Sequence, residues 1–192
     1  TWAQERRQAL YEALGAVALP STSLESYVPG EPYPVRGVAR VNGANMTTDY
    51  LVWSPLSTAY KDRLAYDDLP SRDGAGKFPY QRASLNRSLK QTLINRCLID
   101  AVVYAGENGD VIRQWIKSQV CAGLGGSDRQ GRCRFASGGA APNTVLVAES
   151  LGSKLLADAL RSIWAEYERS GRAAVQLSSV QAVFLLANQI PL

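Results

Sequence analysis

The chain has 192 residues, 46% of them apolar and 20% charged, and carries a formal net charge of +4. That size supports one domain with a sizeable core, and no run of about 18 apolar residues is present to cross a membrane as a helix. The chain has no histidine, the commonest general base, and with no close Cys pair either, no metal site is expected; no cofactor is expected.

Taken in order, residues 2–17 read as a helix with Leu10, Ala13, Leu14 and Val17 on one face. No apolar stretch of the signal-peptide kind follows the first residues. Residues 20–49 read as a long Pro- and Gly-rich loop, in which 35–41 is a candidate irregular strand. Residues 50–53 are a short strand stopped by Ser54-Pro55, and 56–69 are amphipathic but mixed. The pair Asp67-Asp68 has no partner ligand in view and reads as a solvated edge beside the polar loop 70–79.

From residue 82 the pattern sharpens. Residues 82–97 read as a helix with Leu85, Leu89, Leu93, Ile94 and Cys97 in one stripe. The run Leu98-Ile99-Asp100-Ala101-Val102-Val103-Tyr104 is nearly continuous in apolar character and reads as a strand buried on both faces, with Asp100 bonded to backbone or an arginine. A turn at 106–110 leads to a helix over 111–120, then a glycine-rich loop over 122–142 with no phosphate-cradling pattern. A strand over 144–148, a helix over 151–167 and a final strand over 182–187 complete the chain. This alternation predicts an α/β domain spanning 1–192, with a mainly parallel sheet and helices on both faces.

Cys97 falls on a helix face and reads as a buried thiol, whereas Cys121 and Cys133 bracket the glycine-rich loop. A disulfide between those two and two unrelated thiols are both compatible with the spacing; the disulfide would tip the compartment towards secreted or periplasmic. Arg129, Arg132 and Arg134 form a basic cluster that could meet a phosphate or an anionic membrane surface, although a solvated loop is the commoner arrangement. Aromatic and basic residues do not interleave as a nucleic-acid groove requires, so no nucleic-acid partner is expected.

The most informative stretch is Thr144-Val145-Leu146-Val147-Ala148-Glu149-Ser150-Leu151-Gly152-Ser153. A strand runs into a serine, and helical spacing begins at once beyond it. Small residues stand two before and two after the serine, at Ala148 and Gly152, where strand end and helix start approach each other. With the following Lys154 to Leu160, this segment resembles the nucleophile strand, elbow and helix of α/β-hydrolase-fold serine esterases and lipases. The resemblance is specific over about residues 98–165 and loose elsewhere.

The resemblance implies a hydrolase of carboxylic esters, lipids among them, that forms an acyl-enzyme on Ser150. It implies the backbone N–H of Leu151 as one oxyanion donor. The family's acid and histidine should follow the serine in sequence. Only Asp158, Glu166 and Glu168 do, all on the helix, and no histidine follows. Lys154 is the nearest substitute base, one helical turn along. The chain opens inside a helix and closes on a core strand, which favours a segment of a larger hydrolase, incomplete at both ends, with base and acid outside it. The alternative is a non-catalytic hydrolase-like domain that binds or scaffolds without the histidine.

Overall fold

The computed structural model of the protein describes residues 2–20, 28, 30–64, 84–90, 93–94, 98–136, 142–168 and 177–187. It divides into two compact units, residues 1–53 with 113–192, and residues 54–112. Asp67, Asp68, Cys97 and the loop 70–79 lie outside the described residues.

In the first unit, α1 (Trp2–Leu14) meets an antiparallel sheet of β1 (Val17–Leu19), β2 (Tyr33–Val41) and β3 (Ala44–Val52). The β2–β3 turn is Asn42-Gly43, both at positive φ, which is the backbone of a two-residue turn matched to strand twist. Much of the stretch read as loop, 20–49, is therefore a hairpin. Helix and sheet meet closely at Gly37, where an added Cβ would stand 2.6 Å from Cδ of Arg7. Arg7 Nη1 donates to the Arg36 carbonyl at 2.7 Å, and the Tyr11 and Thr48 hydroxyls lie 3.0 Å apart. The buried face of α1 is thus Ala3 and Tyr11, while Leu10 and Leu14 of the expected stripe are exposed. On the far end of the hairpin pair, Arg36 grips Asp49 with two hydrogen bonds of 2.7 and 2.8 Å. That bonding, with the carboxylate's charge, holds the guanidinium above its ordinary pKa.

The same unit contains most of α5 (Gly109–Gly123), the hairpin β4 (Ser127–Arg129) and β5 (Arg132–Arg134), β6 (Thr144–Glu149), α6 (Leu151–Glu168) and β7 (Val180–Leu186). Apolar residues at helical spacing bury one face of α5 through Ile116 and Val120, with Leu124 completing it just beyond the helix. In α6 the same spacing buries Leu155, Leu156, Ala159 and Ile163. Strands β6 and β7 pair in parallel, joined by the α6 crossover.

A clamp joins α5, the β4–β5 hairpin and α6. Cys121 and Cys133 are disulfide-bonded and both buried. Lys117 pairs with Glu166 and donates to the Gly131 carbonyl at 2.9 Å. The second oxygen of Glu166 accepts the Cys133 backbone N–H at 3.0 Å, and the Tyr167 hydroxyl donates to the Cys133 carbonyl at 2.5 Å. The loop read over 122–142 is therefore, in its first half, a short tied hairpin.

In the second unit, a 3₁₀ turn (Ser54–Ser57) leads into α2 (Thr58–Leu64), followed by α3 (Ser84–Leu89) and α4 (Ile99–Ala105). Leu89, Leu93 and Ile94 of the stripe expected over 82–97 are exposed. The run 98–104 is a helix, not a strand, and buries Ile99, Val103 and Tyr104 while Val102 is 64% exposed. Its Asp100 accepts from the Ser57 hydroxyl at 2.6 Å and from Lys61 at 2.8 Å, not from backbone or an arginine.

These observations overturn the expected fold class. Instead of a mainly parallel sheet with helices on both faces, the described residues form a three-stranded antiparallel sheet, a two-stranded antiparallel sheet and one parallel pair. The physical cause is the loss of two strands from the parallel layer. The run 98–104 is helical, and residues 50–52 pair antiparallel with β2 through the Asn42-Gly43 turn.

The clamp predicts a measurable cost. Cys121→Ala/Cys133→Ala should lose about 3 kcal/mol of unfolding free energy, the usual value for a loop of this length. Glu166→Ala, which strands Lys117 and the Cys133 N–H, should lose about 2–3 kcal/mol. Urea unfolding of each variant measures both; a change under about 0.5 kcal/mol in either would show that its part of the clamp is idle.

Candidate functional site

The site forms where β6 hands over to α6. Strand β6 alternates half-buried Thr144, Leu146 and Ala148 with exposed Val145, Val147 and Glu149, as a strand with one covered face should. Ser150 then interrupts the strand with φ of +53°, and α6 starts at the next residue. A non-glycine residue in that region is uncommon and stores of the order of 1 kcal/mol or more, so neighbouring contacts must hold it. They do so from both sides. The Ser150 N–H donates to the Leu186 carbonyl of β7 at 2.9 Å, extending the parallel ladder by one rung. The Ser150 carbonyl accepts from the Ser153 N–H at 3.0 Å, closing the first helical turn.

Ser153 is fully buried beneath this turn, its hydroxyl reaching the Ala148 carbonyl at 3.4 Å. Ala148 and Gly152 do approach each other. A Cβ added to Gly152 would lie 3.9 Å from that of Ala148, which is ordinary contact. The small pair is therefore brought together, but glycine is not sterically compelled at 152. The N–H groups of Leu151 and Gly152 head an 18-residue helix, where the helix dipole places partial positive charge. An oxyanion formed beside Ser150 would meet that end of α6.

One feature of this edge carried no sequence signal. Ala187, directly after β7, also has positive φ, at +44°. Both parallel strands thus end in strained non-glycine residues on the same edge, the carboxyl edge where parallel sheets of α/β proteins hold ligands. An alanine in that conformation is legible only from coordinates.

The other candidate groups are committed elsewhere. Lys154 pairs with Asp158 at 2.7 Å, one turn further along α6 from Ser150. Glu166 belongs to the clamp at the other end of that helix. Glu168 is an exposed residue at its last position. None is placed to activate Ser150. In the other unit, Ser57 stands within reach of Lys61 through Asp100, but it is fully buried and its hydroxyl proton is given to the carboxylate. That trio holds the 3₁₀ turn and α2 to α4. Cys121 and Cys133 serve the clamp, and among the described residues no cluster of three or more His, Cys, Asp or Glu could hold a metal ion.

Comparison with known proteins finds no matching family model, no matching curated protein and no matching solved structure. What can be said of function rests on the elbow itself.

The backbone at the elbow makes an unusual stability signature. Ser150→Gly should leave stability unchanged or raise it by about 0.5–1 kcal/mol, since glycine adopts positive φ without strain. Ser150→Val should lose about 1–2 kcal/mol for the opposite reason. Gly152→Ala should gain up to about 1 kcal/mol from helix propensity. Thermal unfolding of the three variants checks this order, and a Ser150→Gly variant less stable than Ser150→Val would contradict the strained geometry.

Proposed function

We propose that the protein is a serine hydrolase of carboxylic esters, lipid esters among them, in which Ser150 is the nucleophile. The observation that carries this reading is the positive φ of Ser150 between a parallel strand and the helix that follows it. That conformation lifts a side chain above the strand end, where a substrate carbonyl can approach.

In the proposed reaction the Ser150 oxygen bonds to the carbonyl carbon while its proton passes to a base. The tetrahedral oxyanion is stabilised by the Leu151 N–H at the head of α6; one such donor typically contributes about 100- to 1,000-fold in rate. Collapse breaks the bond to the alcohol oxygen, which leaves with the proton, and water then releases the acid from the acyl-enzyme. The base and its acid partner lie outside this chain in this reading. Its 192 residues contain no histidine, and Lys154 is spent on Asp158.

The missing histidine favours a second reading, a non-catalytic binding or scaffolding domain that keeps the elbow's backbone without its chemistry. The two separate cleanly. In the natural protein, a fluorophosphonate should label Ser150, and Ser150→Ala should abolish labelling and lower ester hydrolysis by at least about 1,000-fold. A folded natural protein that takes no label, with biological activity intact in Ser150→Ala, would remove the hydrolase reading and leave the binding domain.

A further inference from the structure

We propose that the β4–β5 hairpin is an anion-recognition surface that seats the protein on an anionic phospholipid bilayer. The hairpin reverses at Gln130 and Gly131, with φ of +57° and +72°, the backbone of a two-residue turn. Asp128 locks that turn, its Oδ1 accepting the Gly131 N–H at 2.9 Å. Register pairs Arg129 with Arg132 and Ser127 with Arg134, while Asp128 pairs with Cys133. Because side chains alternate along strands, the three arginines share one face and Cys133 lies on the other. Arg129, Arg132 and Arg134 are all exposed, and Cys133 is buried and held by disulfide, Glu166 and Tyr167.

Arg129 and Arg132 face each other directly, and like charges so placed oppose strand pairing. Nearby carboxylates do not relieve them. Asp128 lies on the opposite face with Cys133, its Oδ1 on the turn N–H, and Glu166 is neutralised by Lys117. Among the described residues none of the three arginines has an ion-pair partner. Covalent and ionic anchoring of β5 thus holds together a charge arrangement that would otherwise splay. External phosphates bridging the guanidiniums remove the repulsion, and the forked guanidinium matches phosphate oxygens well.

Exposure and composition decide what carries those phosphates. Every residue of the two three-residue strands except Cys133 is exposed, which leaves the arginine face open. Such a surface meets a plane of many headgroups more fully than it encloses one small anion. The arginine face carries no aromatic side chain on which a base could stack, since both strands contain only Ser, Asp, Arg and Cys. An anionic bilayer fits these features, and each arginine near its surface is expected to strengthen binding about five-fold.

Vesicle co-sedimentation tests the proposal. The protein should sediment with phosphatidylcholine vesicles containing phosphatidylglycerol, not with phosphatidylcholine alone, and binding should weaken as salt rises. Arg129→Gln/Arg132→Gln/Arg134→Gln should weaken it about 100-fold. The control Arg40→Gln/Arg63→Gln/Arg161→Gln, at exposed positions elsewhere, lowers the formal net charge from +4 to +1 just as the hairpin variant does and should retain most of the binding. Equal loss in both variants would reduce the effect to net charge and overturn the assignment. So would tighter binding to duplex DNA than to vesicles, or no sedimentation at all. On the unsubstituted protein, vesicles should protect the three hairpin arginines from phenylglyoxal; full reactivity in their presence would likewise overturn it.

Discussion

The Glu166 carboxylate is the contact that joins α5, β5 and α6 in the first unit. One oxygen takes the Lys117 ammonium from α5 and the other takes the Cys133 N–H from β5. Lys117 and Glu166 keep 12% and 24% of their side-chain surface, so neither ion is well hydrated. Further hydrogen bonds make a pair so placed tolerable, and here both carboxylate oxygens and two of the ammonium protons have partners. Lys117 spends a further proton on the Gly131 carbonyl, and the adjacent Tyr167 covers the Cys133 carbonyl. The disulfide then ties covalently the same two elements that the carboxylate ties ionically.

Helix α6 connects this clamp to the elbow. Ser150 precedes its first residue and Glu166 stands in its last turn, separated by about 24 Å along the axis at ~1.5 Å per residue. Strain at Ser150 persists because that helix is fixed at its far end and packed along its length through Leu155, Leu156, Ala159 and Ile163. The same length keeps the arginine face of the hairpin too far from Ser150 to act in its chemistry. Charge at one end of α6 and a strained serine at the other are independent devices on one rigid rod.

The parts of this architecture that sequence reveals are those with a single strong period. The helices expected over 111–120 and 151–167 and the strand expected over 144–148 fall on α5, α6 and β6, although Val111 and Trp164 are exposed. Apolar continuity misled over 98–104, because a fully apolar run does not distinguish a buried strand from a buried helix. Alternation at the ends of that run is absent, and only the packing of α4 reveals which side chains turn inward. The Asn42-Gly43 hairpin did carry a signal, a turn dipeptide between alternating segments, but the surrounding prolines and glycines hid it within an apparent loop. Partners far apart in sequence, such as Lys117 with Glu166 or Asp100 with Ser57, leave no local trace at all.

At the candidate site, a short match of the form Ala-x-Ser-x-Gly is weak on its own, and the backbone is what gives it weight. A strand–turn–helix elbow implies a strained serine, and Ser150 does sit at positive φ; nothing in the sequence marks Ala187, which does the same beside it. Positioning and an oxyanion donor are nonetheless only part of ester hydrolysis. A general base contributes typically 100- to 10,000-fold, and an oxyanion hole with substrate binding alone still leaves about 1,000- to 10,000-fold over water. Slow hydrolysis by this protein would therefore be compatible with an elbow that has no base, and so could not separate an enzyme from a binding domain. Reactivity of the serine oxygen itself does separate them, because only a proton acceptor at Ser150 raises it.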